Sequence, residues 1–130
     1  TIENKFKESP YIEQVMVVGE NRRFPSALIV PAFDALREWC RSRNINCETN
    51  QQMIRNPQVI ELFKGEVDRF NEGFGKWEQI KKIELLSSDW TIDGGEMTPK
   101  LSLKRKVILE KNRELIENIY KNTEQIEVHE

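Results

Sequence analysis

Residues 11–31 read YIEQVMVVGENRRFPSALIVP. The first eight, Tyr11 to Val18, are rich in β-branched side chains and suit a half-buried strand. Gly19-Glu20-Asn21-Arg22-Arg23 is turn material. Phe24 to Val30 reads as the return strand, with Pro25 near its start, where a missing donor does no harm, and Pro31 as its stop. Two strands joined by a short polar turn make a β-hairpin, and the remaining segments are read around it.

Ahead of the hairpin, Ile2 to Glu8 reads as a short helix ended by Ser9-Pro10. Behind it, Ala32 to Ser42 carries Phe33, Leu36, Trp39 and Cys40 at helical spacing, with Asp34 as N-cap or first-turn acid. Asn44 to Asn50 is a loop, and Asn50 is placed to cap a short helix through Met53 and Ile54. Asn56-Pro57 marks a boundary, since the residue before proline avoids the α region and proline suits a first turn. The helix that follows puts Val59, Ile60, Phe63, Val67 and Phe70 on one face and ends at Gly73 and Gly75. Gln79 to Leu86 is a third strand, flanked by Trp77 and Trp90 as packing residues. Asp93-Gly94-Gly95 is a turn. A last helix is expected from about Leu103 to about Lys121, with Leu103, Val107, Ile108, Leu115, Ile116, Ile119 and Tyr120 as its apolar stripe. The tail from Asn122 is polar and expected to fray. The fold class is therefore α+β: a small sheet with a β-hairpin, packed by helices.

The chain of 130 residues is one ordinary domain. Twenty Lys and Arg against 22 Asp and Glu leave a net charge of −2, which argues against a nucleic-acid partner. No apolar run is long enough for a transmembrane helix, and the polar start lacks a signal-peptide core. The first residue is Thr1, which points to processing or to a longer parent. Cys40 and Cys47 are spaced for neither a zinc knuckle nor a C-x-x-C motif, and with no export signal they read as reduced thiols in a cytoplasm. Cys40 reads as a core residue. The single histidine, His129, lies in the polar tail and is given no role, which removes a Ser-His-Asp triad and a His-based metal site. No amphipathic basic helix stands out, so peripheral membrane contact stays open.

The least ordinary segment is Thr98-Pro99-Lys100-Leu101-Ser102-Leu103-Lys104-Arg105-Lys106, with four cations and no acid. Ser102 reads as the N-cap of the last helix, which puts Lys104, Arg105 and Lys106 in its first turn. There the helix dipole is positive, and each exposed cation is unfavourable by roughly 0.3–1 kcal/mol. Such a place suits an anion, and phosphate is the natural candidate. From charge alone a plain solvated basic face is the favoured reading, with Glu96 offsetting part of the charge. The position after a Gly-Gly turn and a Thr-Pro, at a loop-to-helix junction, keeps the anion site as a candidate. Arg22 and Arg23 at the hairpin tip are a second, weaker phosphate candidate. Gly73-Phe74-Gly75-Lys76 follows a helix with the wrong spacing for a P-loop.

Three stretches resemble the C-terminal domain of AMP-forming long-chain fatty acid–CoA ligases, members of the adenylate-forming superfamily. They are Ile2 to Lys7 with the hairpin through Pro31, Phe74 to Lys82, and Gly95 to Val107. The resemblance implies a mobile lid domain, residues 1–130, detached from an N-terminal domain that binds ATP, Mg²⁺ and the acid. Such a lid supplies a lysine to the acyl carboxylate and α-phosphate during adenylation, then rotates and helps bind CoA for thioester formation. It implies no cofactor held by this fragment alone, no turnover by it alone, and a cytoplasmic parent enzyme. Here the family's lysine position falls on Ser102 in an ungapped alignment. Lys104 and Lys100 are the candidate replacements, with Arg105, Lys106, Arg22 and Arg23 as candidate phosphate or CoA contacts. Loss of the adenylation role, or a small shift in the loop, are the other readings of Ser102. A stand-alone anion-binding or protein-interaction module is the alternative of a different class.

Overall fold

The sheet has three strands, β1 (Ile12–Val18), β2 (Ser26–Pro31) and β3 (Lys82–Leu85), in the spatial order β1-β2-β3. The computed structural model describes the backbone of residues 1–129 and the side chains of residues 1–121. β1 and β2 form the hairpin, antiparallel from Ile12 opposite Pro31 to Val18 opposite Ser26, with an irregularity between Ile12 and Gln14. Pro31 does not stop β2 short but is its last paired residue. β2 starts two residues later than the alternation suggests, because the Pro25 carbonyl accepts the Lys81 N–H (3.0 Å) instead and leads the third strand in. β3 runs parallel to β2, from Ser26 beside Lys82 to Ile29 beside Leu85. β2 is central and buried along its whole length.

Period-two alternation sends the strand side chains to two separate cores. On one face Val15, Ala27, Ile29 and Leu85 pack with Phe6, Leu36, Cys40, Met53, Val59, Phe63, Val67 and Phe70. These come from α1 (Ile2–Phe6), α2 (Phe33–Ser42), α3 (Asn50–Arg55) and α4 (Pro57–Asn71). On the other face Met16, Val18, Leu28 and Val30 meet Trp90, Ile108, Ile116, Ile119 and Tyr120. The last four lie on α5 (Arg105–Lys111) and α6 (Arg113–His129).

α4 starts as expected, with Asn56 Oδ1 accepting the Gln58 N–H (2.8 Å) and Pro57 at the first helical position. α3 is capped one residue earlier than expected. Thr49 Oγ1 accepts the Gln52 N–H (3.1 Å) while Gln52 Oε1 accepts the Thr49 N–H (3.2 Å), a reciprocal capping box. Asn50 instead accepts from Arg37 (3.2 Å) and donates to the Ser87 carbonyl (3.2 Å), tying α3 to α2 and to the chain leaving β3. Trp90 is buried, but Trp77 is 83% exposed on a single 3-10 turn, Lys76–Glu78, and is not a packing residue.

The expected last helix is two helices. Residues 103 and 104 are not helical, and Asn112 separates α5 from α6 with its amide donating to the Ile108 carbonyl (2.8 Å). An asparagine side chain that competes for a backbone acceptor is a known cause of such breaks. α6 also continues past Lys121 to His129. The side chains of the polar tail, His129 among them, lie outside the described residues.

Candidate functional site

The loop between β3 and α5 is built on Gln14 and Glu96. Gln14 brackets Trp90 from β1, its Oε1 accepting the Trp90 N–H (2.7 Å) and its Nε2 donating to the Trp90 carbonyl (2.9 Å). The turn at Asp93-Gly94-Gly95 then closes, with the Gly94 N–H on Thr91 Oγ1 (2.8 Å) and Gly95 at φ +86°. Glu96 fastens the turn to both neighbours. Its Oε1 accepts the Thr91 N–H (3.1 Å), its Oε2 pairs with Lys111 (3.3 Å), and its carbonyl accepts the Lys104 N–H (2.7 Å). Lys111 also donates to the Gly94 carbonyl. Partial burial pushes the Glu96 carboxyl up, but the Thr91 N–H and Lys111 outweigh it and hold the group below the ordinary glutamate value.

Above this base, Met97 and Leu103 pair as an antiparallel bridge and the chain between them forms a tight tip. The Leu101 N–H donates to the Thr98 carbonyl (2.8 Å), and Pro99 fits the second position of that turn. Thr98 and Ser102 face each other through Thr98 N–H to Ser102 carbonyl (2.9 Å) and Ser102 N–H to Thr98 Oγ1 (3.1 Å). Ser102 is therefore a partner across the tip and not a helix cap. Leu101 follows the turn at φ +65°, a position that favours glycine, and its side chain is 66% exposed.

Lys104 occupies the N-cap position of α5 without a side-chain cap, and Arg105 and Lys106 are in its first turn, which holds no acid. The cations sort into two groups. Arg105 Nη1 donates to the Val17 carbonyl (2.7 Å) and its Nη2 to Glu3 Oε2 (2.9 Å). Lys111 is held by Glu96. Lys100, Lys104 and Lys106 are exposed and form no ion pair with any described residue. They lie at or before the N-terminal end of a seven-residue helix, so the positive field here comes from side chains more than from a long helix dipole.

The hairpin tip is a different case. Arg22 pairs with Glu117, and its guanidinium lies 5.0 Å from the Tyr120 ring centroid. Tyr120 Oη donates to the Phe24 carbonyl (2.8 Å), so the turn is docked on α6. Arg23 is exposed on the same turn. Among the described residues, no cluster of three or more His, Cys, Asp or Glu is arranged to hold a metal ion. No described helix is long and apolar enough to cross a membrane.

Residues 1–124 match the family model described as AMP-binding enzyme C-terminal domain. The chain belongs to this family. Its relatives include long-chain-fatty-acid–CoA ligase FadD15 of Mycobacterium tuberculosis, 32% identical over 120 residues, which cover 92% of this chain and 20% of that protein. Long-chain-fatty-acid–CoA ligase 1 of Homo sapiens is 30% identical over 122 residues, covering 92% and 17%. The chain thus spans about a fifth of the length of the curated relatives it matches. The fold is similar to part of the A-PCP didomain of carboxylic acid reductase from Segniliparus rugosus in complex with AMP, with a TM-score of 0.75 at 18% identity over 95% of this chain and 16% of that one. The helices and small three-stranded mixed sheet are thus the α+β fold that the sequence predicts, and it occurs within a solved structure. A stand-alone module is not favoured by this match.

The sequence located the Thr98 to Lys106 segment and its excess of cations. It did not single out Glu3 or Gln14, which lie far away in the chain and carry no local signal.

Proposed function

We propose that residues 1–130 are one lid domain of an AMP-forming long-chain fatty acid–CoA ligase, working with an N-terminal domain of the same polypeptide in the cytoplasm. The parent reaction is ATP plus fatty acid plus CoA to acyl-CoA, AMP and pyrophosphate. ATP, Mg²⁺ and the acid belong to the larger domain in this reading, and CoA meets the lid in its second orientation. Lys100 or Lys104 replaces the lysine that the family pattern puts at Ser102.

One observation carries this reading. The tip from Thr98 to Lys104 projects two lysines without an acidic partner among the described residues, from a base that Glu96 fastens firmly. A positioned ammonium stabilises negative charge as it develops on the carboxylate and α-phosphate oxygens, and a rigid base removes the need to order it at that moment. A serine hydroxyl is neutral and supplies no such charge. A lysine on a projecting tip can also enter and leave a partner's site as the whole domain rotates.

The test uses the full-length polypeptide. Lys100→Ala and Lys104→Ala are compared for acyl-adenylate formation without CoA. The residue in the lysine role loses about 10²-fold in rate, while thioester formation from preformed acyl-adenylate stays near wild type. Unchanged adenylation in both variants overturns the assignment.

A further inference from the structure

β1 is an edge strand, and the N–H and carbonyl of Val17 face away from β2 with no strand among the described residues to pair them. Two side chains take the place of that strand. Glu3 Oε2 accepts the Val17 N–H (2.8 Å), Arg105 Nη1 donates to the Val17 carbonyl (2.7 Å), and Arg105 Nη2 donates to Glu3 Oε2 (2.9 Å). The ring of three contacts joins α1, β1 and the first residue of α5. It also lies directly beside Lys104, whose N–H is held by the Glu96 carbonyl (2.7 Å). The chain at residues 104 and 105 is thereby pinned twice, by its main chain to Glu96 and by its side chain to Glu3 and Val17.

We infer that Glu3 and Arg105 are a positioning pair for the lysine-bearing tip. Both terminal nitrogens of its guanidinium are already committed to fixed acceptors. These two bonds fix the plane and position of the guanidinium, and its remaining N–H groups are not needed for the contact with Glu3 and Val17. The geometry needs a planar fork that reaches two acceptors at once, which arginine has and lysine lacks. Glu3 in turn serves two donors with one oxygen, so losing its charge loosens both. The device fastens the tip to the sheet through α1, in the part of the chain farthest from α5 in sequence. This inference rests on the ligase reading for its kinetic consequence, though not for its structural one.

The experiment compares Glu3→Gln and Arg105→Lys with wild type in the native polypeptide. Three things are measured: acyl-adenylate formation, thioester formation from preformed acyl-adenylate and CoA, and hydrogen exchange of the peptide covering residues 97–105. Both variants are expected to exchange faster in that peptide and to lose about tenfold to a hundredfold in adenylation, with the thioester step near wild type. Global destabilisation would lower both half-reactions together. A phosphate-binding Arg105 would give the opposite pattern: Arg105→Lys close to wild type, Arg105→Ala with a raised KM for ATP or CoA, and Glu3→Gln silent. That pattern, or unchanged exchange in both variants, overturns the inference. If wild type forms no acyl-adenylate, the ligase reading fails while the exchange measurement still decides the pair. Should either variant not fold, Glu3→Asp, which shortens the reach by one methylene, carries the same three measurements.

Discussion

The molecule has two cationic turns, and they are used differently. The hairpin turn, Gly19 to Arg23, is docked: Arg22 is taken up by Glu117 and the Tyr120 ring, and Tyr120 reaches across to the Phe24 carbonyl. The tip from Thr98 to Lys106 is fastened only at its base, through Glu96 and Arg105, and leaves three lysines exposed. Both turns carry an excess of cations, and both read as phosphate candidates. What separates them is the surface that each meets. The hairpin turn lies over α6 and becomes part of the second core, while the other lies beside α1 and the edge strand with its lysines exposed. Cationic turns therefore mark function only where the fold leaves the charge unmatched.

The sharpest way to break this comparison is at Gly19. It sits at φ +109°, and a Cβ there would lie 2.8 Å from the Phe24 carbonyl oxygen and overlap the Tyr120 hydroxyl. Gly19→Ala should cost about 2–4 kcal/mol by denaturant unfolding, since strain and overpacking act together. A loss within experimental error would mean the turn is not seated on α6.

A smaller effect is expected at the base of the open tip. Glu96→Gln removes the Lys111 pair and weakens the bond to Thr91, for about 1–2 kcal/mol at neutral pH. Because the folded Glu96 is held below its ordinary value, its contribution is full above about pH 4.3, where a glutamate of the unfolded chain titrates. It is lost as pH falls through the lower folded value. The difference in stability between wild type and Glu96→Gln should shrink over that acid window and be flat above it, as unfolding at a series of pH values will show.

The smallest effect has the opposite sign. Leu101 is exposed at φ +65°, so Leu101→Gly should stabilise the domain by about 1 kcal/mol, read as a rise in Tm. A fall in Tm would show that the Leu101 side chain contributes packing that outweighs its backbone strain.

Much of the fold was legible because its signals are local. The hairpin, the Asn56-Pro57 start and the apolar stripes of α4 and α6 each follow from residues within one or two turns of one another. Thr49 was also legible in principle, since Thr-x-x-Gln is a capping-box spacing, and the neighbouring asparagine drew attention away from it. Trp77 was misread because a tryptophan beside a strand usually packs, and nothing nearby in sequence reports that its 3-10 turn faces outward. The family lysine's absence at Ser102 was visible in the sequence, but the pairing of Ser102 with Thr98 required the tip to be folded.

The sequence by itself determined the order of elements up to the third strand, the α+β class, the family resemblance and the place where positive charge accumulates. Period two, period 3.6, caps and turns are all written within a few residues. The tertiary structure alone decided that β3 joins β2 in parallel, that Arg22 is taken up in a docking contact, and that Arg105 answers to Glu3. Those partners are separated by up to 102 residues, and a charge's meaning depends on which distant group the packing of the sheet brings within reach of it.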